Sequence, residues 1–244
     1  MQILILNIII NMIKPSREMI IGLSVGIPLT LLIIVLVLTF LIIKLIKSKR
    51  NNSIGFRFEA KIRNKLLTIA KDKNYKYLNG GLFKYGQSQI FELDGILISN
   101  KAVFIIEVKY YVGHLSGEAT NAELELRSKS NKVLKFKNPL IQNFKHIQHF
   151  YKMCGFNFPV FSLVILPSNT TFDIANLESW ALVTTEDQVA NLLEDVAKDM
   201  SEDRNLNKDE LMLINESVSS NRSASLKDIK RFGKILNKND SKKK

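Results

Sequence analysis

The sequence predicts a mixed α/β domain preceded by a single membrane-spanning helix. Three observations carry that prediction. Residues 19–43 contain no charged side chain. From Ile54 to about residue 200, apolar periodicities alternate in the order helix, strand, strand, helix, strand, strand, helix. Apolar residues make up 46% of the 244, enough for a buried core even after the apolar N-terminus is set aside. The chain therefore divides into an N-terminal segment 1–18, a spanning helix 19–43, a basic linker 44–53, an α/β domain 54–200 and a polar basic tail 201–244.

The spanning helix comes first. At about 1.5 Å rise per residue, residues 19–43 are long enough to cross a hydrocarbon core of about 30 Å with some tilt. Their centre is apolar on every side, unlike a surface helix, and a Pro28 kink is tolerated in a membrane. A cleaved signal peptide fits less well. The run exceeds the usual apolar region of ~7–15 residues, and no small-residue cleavage site follows. Lys44, Lys47, Lys49 and Arg50 crowd its C-terminal side, against Lys14 and Arg17 with Glu18 on the other. The positive-inside rule then makes this a single-pass protein with its C-terminal domain in the cytoplasm. Residues 3–13 form a second apolar run, interrupted by Asn7 and Asn11. They either lie at the membrane interface or precede a start at Met12 or Met19.

The elements beyond the linker follow from pattern. Phe58, Ile62, Leu66 and Ile69 form one helical stripe. Asn79-Gly80-Gly81 reads as a break. Residues 90–99 and 102–111 read as two strands joined by a polar turn at Ser99-Asn100-Lys101. Residues 113–137 read as a loop or edge hairpin. A helix follows over 139–153 with Pro139 in its first turn, then strands at 161–166 and 180–184 and a helix over about 186–198. In the tail, 209–218 and 226–236 read as helices, the second basic and amphipathic, and 237–244 as disordered.

The hairpin carries the chemistry. With its turn centred between Asn100 and Lys101, Ile98 faces Val103 and Asp94 faces Glu107, with Cβ atoms roughly 5 Å apart. Lys109 shares that face by two-residue parity, as do Ile96, Ile98, Val103 and Ile105. Phe104, Ile106 and Val108 take the other face. Two facing carboxylates repel unless something compensates. A hard divalent cation such as Mg²⁺ does so, and the Val108 carbonyl can add a ligand. Lys109 can then hold a water or offset charge on a phosphate. An ion pair of Lys109 with either acid satisfies the same spacing equally well. A slip of one residue in register would also send Asp94 to the other face.

Asp94, followed across one hairpin by Ile106-Glu107-Val108-Lys109, resembles the PD-(D/E)XK nuclease superfamily. More narrowly, residues 54 to about 150 resemble the NERD (nuclease-related) domain. The residues that carry the resemblance are Gly55-Phe56-Arg57-Phe58-Glu59, Leu93-Asp94-Gly95-Ile96-Leu97-Ile98, Val103-Phe104-Ile105-Ile106-Glu107-Val108-Lys109, Gly113, and Asn138-Pro139-Leu140-Ile141-Gln142-Asn143 with His146. The resemblance implies a restriction-endonuclease-like mixed β-sheet flanked by helices. It implies Asp94 and Glu107 as ligands of Mg²⁺ or Mn²⁺ and Lys109 as the catalytic lysine. Glu59 would approach the metal from its helix and Gln142 would line the site. The implied partner is nucleic acid, DNA ahead of RNA. Two features depart from the pattern: Leu93 rather than proline precedes Asp94, and no tryptophan follows Gly113 closely.

Composition narrows the alternatives. A net charge of +12 suits a polyanionic partner, nucleic acid or anionic lipid. The one cysteine, Cys154, permits no intrachain disulfide and reads as a small apolar residue. Three histidines (His114, His146 and His149) argue against a histidine-rich zinc site. Gly80-Gly81 is not followed by a phosphate-loop pattern, which excludes a nucleotide-triphosphate site of that kind. Lys132, Lys135 and Lys137 form a basic run that suits either phosphate or solvent. Besides an enzyme, two readings remain at this level: a non-catalytic nucleic-acid-binding module, and a membrane-surface scaffold whose basic tail helix lies on lipid.

Overall fold

The computed structural model describes residues 17–51, 54–86 and 89–241. The run at 3–13 lies outside the described residues. Two compact units emerge, Met1–Ser53 and Ile54–Lys244.

In the first unit, α1 (Arg17–Asn51) is one continuous helix of 35 residues containing Pro28. Within it Gly26–Lys44, with a mean hydropathy of 3.0, is long and apolar enough to cross a membrane. Its hydroxyls are not left unsatisfied. Thr30 and Thr39 donate to the carbonyls of Ile27 and Leu36 at 2.9 and 2.8 Å, the local bonding that lets hydroxyls enter an apolar helix. The helix runs on through most of the segment expected as a linker.

The second unit is a mixed α/β body. Helix α2 (Ile54–Asp72) buries Phe58, Ile62, Leu66 and Ile69, the stripe read from spacing. Each such side chain contributes about 1.5–3 kcal/mol on burial, so this face docks the helix. A five-stranded sheet runs in the order β1-β2-β3-β7-β9. Its strands are β1 (Lys76–Tyr85), β2 (Gln89–Ile98), β3 (Val103–Val108), β7 (Val160–Leu166) and β9 (Ala181–Thr185). β1, β2 and β3 pair antiparallel, while β7 and β9 continue in parallel. One face packs on α2 and α4 (Val189–Asp199) through Leu97, Phe104, Ile106 and Leu193. The other packs on α3 (Pro139–Cys154) and α5 (Lys208–Ser220) through Ile96, Ile98, Val103, Ile105 and Phe150. The strand parity inferred from the hairpin is the observed one.

Three differences from the sequence reading have physical causes. Of the two readings of residues 113–137, loop or edge hairpin, the hairpin is the nearer, but the segment holds three strands. These are β4 (His114–Glu118), β5 (Glu123–Arg127) and β6 (Val133–Lys137), which join β8 (Thr171–Ala175) in a second sheet ordered β6-β5-β4-β8. These strands are short, and only Leu115, Leu124 and Leu126 turn fully inward, so polarity masks the alternation. The glycine break at 79–81 lies inside β1, where it bends the hairpin rather than ending it. The compact unit also does not close at residue 200. Leu206, Ile214 and Val218 are buried in the same core as Phe83 and Phe150, so part of the expected tail is core. Helix α6 (Leu226–Ser241) extends into the stretch expected to be disordered. Cys154 is half-buried against this core, and burial pushes its thiol up to about 12, an inert group.

Asn138 ties the second sheet to α3. Its side chain accepts from the Leu140 amide at 2.9 Å, the N-cap bond, and donates to the carbonyls of Asn121 and Ala119 at 2.8 and 3.0 Å. The Asn138-Pro139 pair is thus a helix start that also clamps the β4–β5 turn. Asn138→Ala removes the cap and leaves the partly buried carbonyls of Ala119 and Asn121 without their donor. It is expected to destabilise the fold by about 2–4 kcal/mol, read as a lowered urea midpoint.

Candidate active site

The site forms where the β2–β3 ladder ends. Main-chain pairing runs from Ile98 opposite Val103 to Gly95 opposite Ile106 and then stops. Asp94 and Glu107 are the next facing positions. In place of a ladder bond, the Asp94 carboxylate accepts from the Val108 amide at 2.7 Å. A side chain thus replaces a backbone acceptor and fixes one carboxylate oxygen beside β3.

The β1–β2 ladder lapses at the same point. Asn79 pairs with Gly95 and Gly81 with Leu93, and the step between them, Gly80 opposite Asp94, is unpaired. On either side the same register holds, yet the buried face changes parity. Phe91 and Leu93 lie in one core before the step, and Ile96 and Ile98 lie in that core after it. The ribbon rolls over at this bend. Gly80 permits it, because a Cβ there would lie 2.2 Å from the carbonyl oxygens of both Asp94 and Leu93. Gly81, at φ +138°, holds a conformation that side chains resist.

Glu107 is 1% exposed. The Lys109 ammonium lies against its Oε1, and His146 Nε2 stands 3.6 Å from its Oε2. Apart from that ammonium, Oε1 has no hydrogen-bond partner. Burial, and then the Asp94 carboxylate, push Glu107 up to about 7, against the pull of Lys109. Burial likewise raises Asp94, opposed by the Val108 amide and by Lys109. Burial alone would lower Lys109, but Glu107 and Asp94 outweigh it and hold its ammonium above the ordinary lysine value. His146 is driven down to about 4 by burial, with His149 and Lys109 adding to it, so it faces Glu107 as a neutral ring.

The ion pair left open at the sequence level therefore exists between Lys109 and Glu107, yet it does not neutralise the pair of acids. A fully buried carboxylate, Glu107, and a half-buried one, Asp94, share one ammonium. Among the described residues no three His, Cys, Asp or Glu side chains gather to hold a metal. The donor set is two hard carboxylates, to which main-chain carbonyls such as that of Val108 and water can add. That chemistry fits Mg²⁺ or Mn²⁺ and not a soft metal.

The other expected residues are placed less directly. Gln142, one turn before His146 on α3, lies 3.4 Å from its Nε2, so it borders the site through that ring. Glu59 is exposed on α2. Its charge acts on Tyr77, which burial first and then Asp94 and Glu59 raise to about 12, with Arg63 opposing. Three contributors were given no role by the sequence reading. Tyr77 lies across Gly95, where a Cβ would sit 2.6 Å from its hydroxyl. Tyr111 is within the field of both Lys109 and Glu107. Asn143, fully buried, donates to the Ile105 carbonyl at 2.8 Å and to Ser162 Oγ at 2.9 Å, locking α3 to β3 and β7. Only Asn143 had a signal, its place beside Gln142 behind the Asn138 cap.

A mixed sheet that brings two acids and a lysine to one ladder end, bordered by a helix carrying Gln142 and His146, defines an α/β domain of the restriction-endonuclease-like class. Residues 54–167, from α2 to just past the end of β7, match the nuclease-related domain (NERD) family. No curated protein and no solved structure matches the chain.

Proposed function

We propose that the protein is a membrane-anchored nuclease, dependent on Mg²⁺ or Mn²⁺, that hydrolyses phosphodiester bonds in nucleic acid, DNA ahead of RNA. The observation that carries this reading is Glu107, buried beside Asp94 and under-compensated by Lys109 alone. Asp94, Glu107 and the Val108 carbonyl would hold the cation, which supplies positive charge next to the phosphate. Lys109, ionised and still 26% exposed at its side chain, presents its ammonium to solvent and to an incoming phosphate. It can orient the attacking water and offset the charge that gathers on the non-bridging oxygens. Asp94 is held in place by Val108, so little reorganisation is required at that ligand. Neutral His146 keeps the floor of the site uncharged.

Helix α1 is the proposed anchor, and the basic residues after it support a cytoplasmic domain by the positive-inside rule. The net charge of +12 suits a polyanion. Full-length protein in detergent, given Mg²⁺ or Mn²⁺, is expected to cut duplex or single-stranded DNA, and Asp94→Ala and Lys109→Ala are expected to stop it. DNA binding that weakens steeply with salt but yields no product with either metal would instead establish a binding module. Cleavage by Lys109→Ala at the parent rate would refute the assigned role of the lysine.

A further inference from the structure

We infer that the C-terminal strap around Arg222, which lies beyond the family-matched segment, is a working part of the metal site, and that Arg222 is a positioning residue for Asp94. This rests on the reading of Asp94 as a metal ligand.

β1 is an edge strand of the five-stranded sheet, and edges are normally covered or blunted. Here the chain returns after α5 to cover it. The Lys84 amide donates to the Asn221 carbonyl and the Ser223 amide donates to the Leu82 carbonyl, both at 2.8 Å, on either side of a bridge between Phe83 and Arg222. The strap is fastened at both ends. Ile214 and Val218 of α5 are buried before it. After it, buried Asp228 accepts from Ser223 Oγ at 2.8 Å and sits 3.7 Å from the Lys84 ammonium.

Arg222 does more than cover an edge. Its guanidinium donates to the Gly80 carbonyl at 2.7 Å and to the Asn79 carbonyl at 2.5 Å, and lies 5.0 Å from the centre of the Phe83 ring. Those two carbonyls belong to the step at which the β1–β2 ladder lapses. Gly80 has no register partner across the ribbon at that step, and a Cβ there would lie 2.2 Å from the Asp94 carbonyl oxygen. Arg222 therefore holds one side of Gly80, and Asp94 rests on the other. Two consecutive glycines would otherwise leave this bend the most permissive backbone in the hairpin. The fork geometry of a guanidinium suits two adjacent carbonyls, which a lysine cannot grip in the same way. The effect is mechanical: Arg222 fixes the bend, the bend fixes Asp94, and Asp94 meets Val108 and the cation.

The test uses full-length protein in detergent, comparing Arg222→Ala and Arg222→Lys with the parent and with Ile214→Val. The last is a packing lesion in the same core that spares the strap's polar contacts. Two readouts are taken: Mn²⁺ affinity by titration calorimetry, and exchange of the Val108 amide in EDTA, which reports the Asp94–Val108 hydrogen bond without metal. Arg222→Ala is expected to weaken Mn²⁺ binding about tenfold, the usual cost of losing an outer support of a metal site. It should also speed Val108 exchange, with Arg222→Lys intermediate and Ile214→Val unchanged in both. Unchanged Val108 exchange in Arg222→Ala, or equal acceleration by Ile214→Val, would overturn the inference. A parent protein that binds no Mn²⁺ would sink the metal reading instead, while the exchange arm would still decide whether Arg222 positions Asp94.

Discussion

Glu107→Gln is expected to abolish metal-dependent cleavage while leaving the metal-free protein at least as stable as its parent. The two halves of that result have one cause. Glu107 is buried beside a second carboxylate, and its carboxyl is pushed up to about 7. An acid whose folded pKa lies above its unfolded one binds its proton more tightly when folded. Its ionisation therefore costs stability, and the cost develops as pH rises from the ordinary glutamate value through about 7. Glutamine fills the same space without the charge, and Lys109, partly exposed, can turn to water. At pH 8 in EDTA the variant should melt no lower than the parent, with any gain shrinking toward pH 5. Catalysis should fall on the order of 10³-fold or more, because a buried ligand and its field are both lost. A variant that melts well below the parent would show that the Lys109 contact stabilises the fold more than carboxylate burial destabilises it. One that still cleaves with Mg²⁺ would remove Glu107 from the site. Wild-type activity combined with a raised melting point is the outcome that most directly contradicts a functional role for this strain.

Much of this site was legible because hairpin chemistry is local. Placing the turn at Asn100-Lys101 fixed Ile98 opposite Val103, and from there parity alone assigned Ile96, Ile105 and Glu107 to one face and Phe104 and Ile106 to the other. The α2 stripe and the Asn138-Pro139 helix start were legible for the same reason: each is a pattern completed within a few residues. The second sheet was not. β4 reaches β8 across most of the intervening chain, and β6 buries no side chain fully, so no short window records either. The part of the core supplied by Leu206, Ile214 and Val218 was obscured by charged neighbours such as Asp203, Lys208 and Glu210, which lie on the outer side of the same segment. The glycine pair was misread in an instructive way. Asn79-Gly80-Gly81 is a usual turn signal, but here the glycines serve close approach between strands. Only the register of β1 on β2 reveals that the residue they approach is Asp94.

That close approach makes Gly80→Ala the second large expected effect, even though the substitution adds only a single uncharged methyl group. The new Cβ would meet the carbonyl oxygens of Leu93 and Asp94 at 2.2 Å, and both are backbone atoms that cannot rotate aside. The ribbon must open at its bend. Overpacking of this kind costs about 1–3 kcal/mol or more, so the melting temperature should fall by several degrees. Activity should suffer more than stability. A ligand displaced by about 1 Å can cost on the order of 10²-fold, and the displaced backbone here is that of Asp94 itself. Gly86→Ala is the matching control. Gly86 sits in the hairpin turn at φ +57° with nothing within 4 Å of a new Cβ, so alanine there meets backbone strain and no clash. It should lose about 1 kcal/mol and leave the rate per folded molecule unchanged. If the two variants lose activity in proportion to stability alone, the bend is merely structural. If Gly80→Ala loses its activity at temperatures where it remains fully folded, and Gly86→Ala does not, then the hairpin bend sets the position of the first acid. The glycine that looked like punctuation would then belong to the catalytic apparatus.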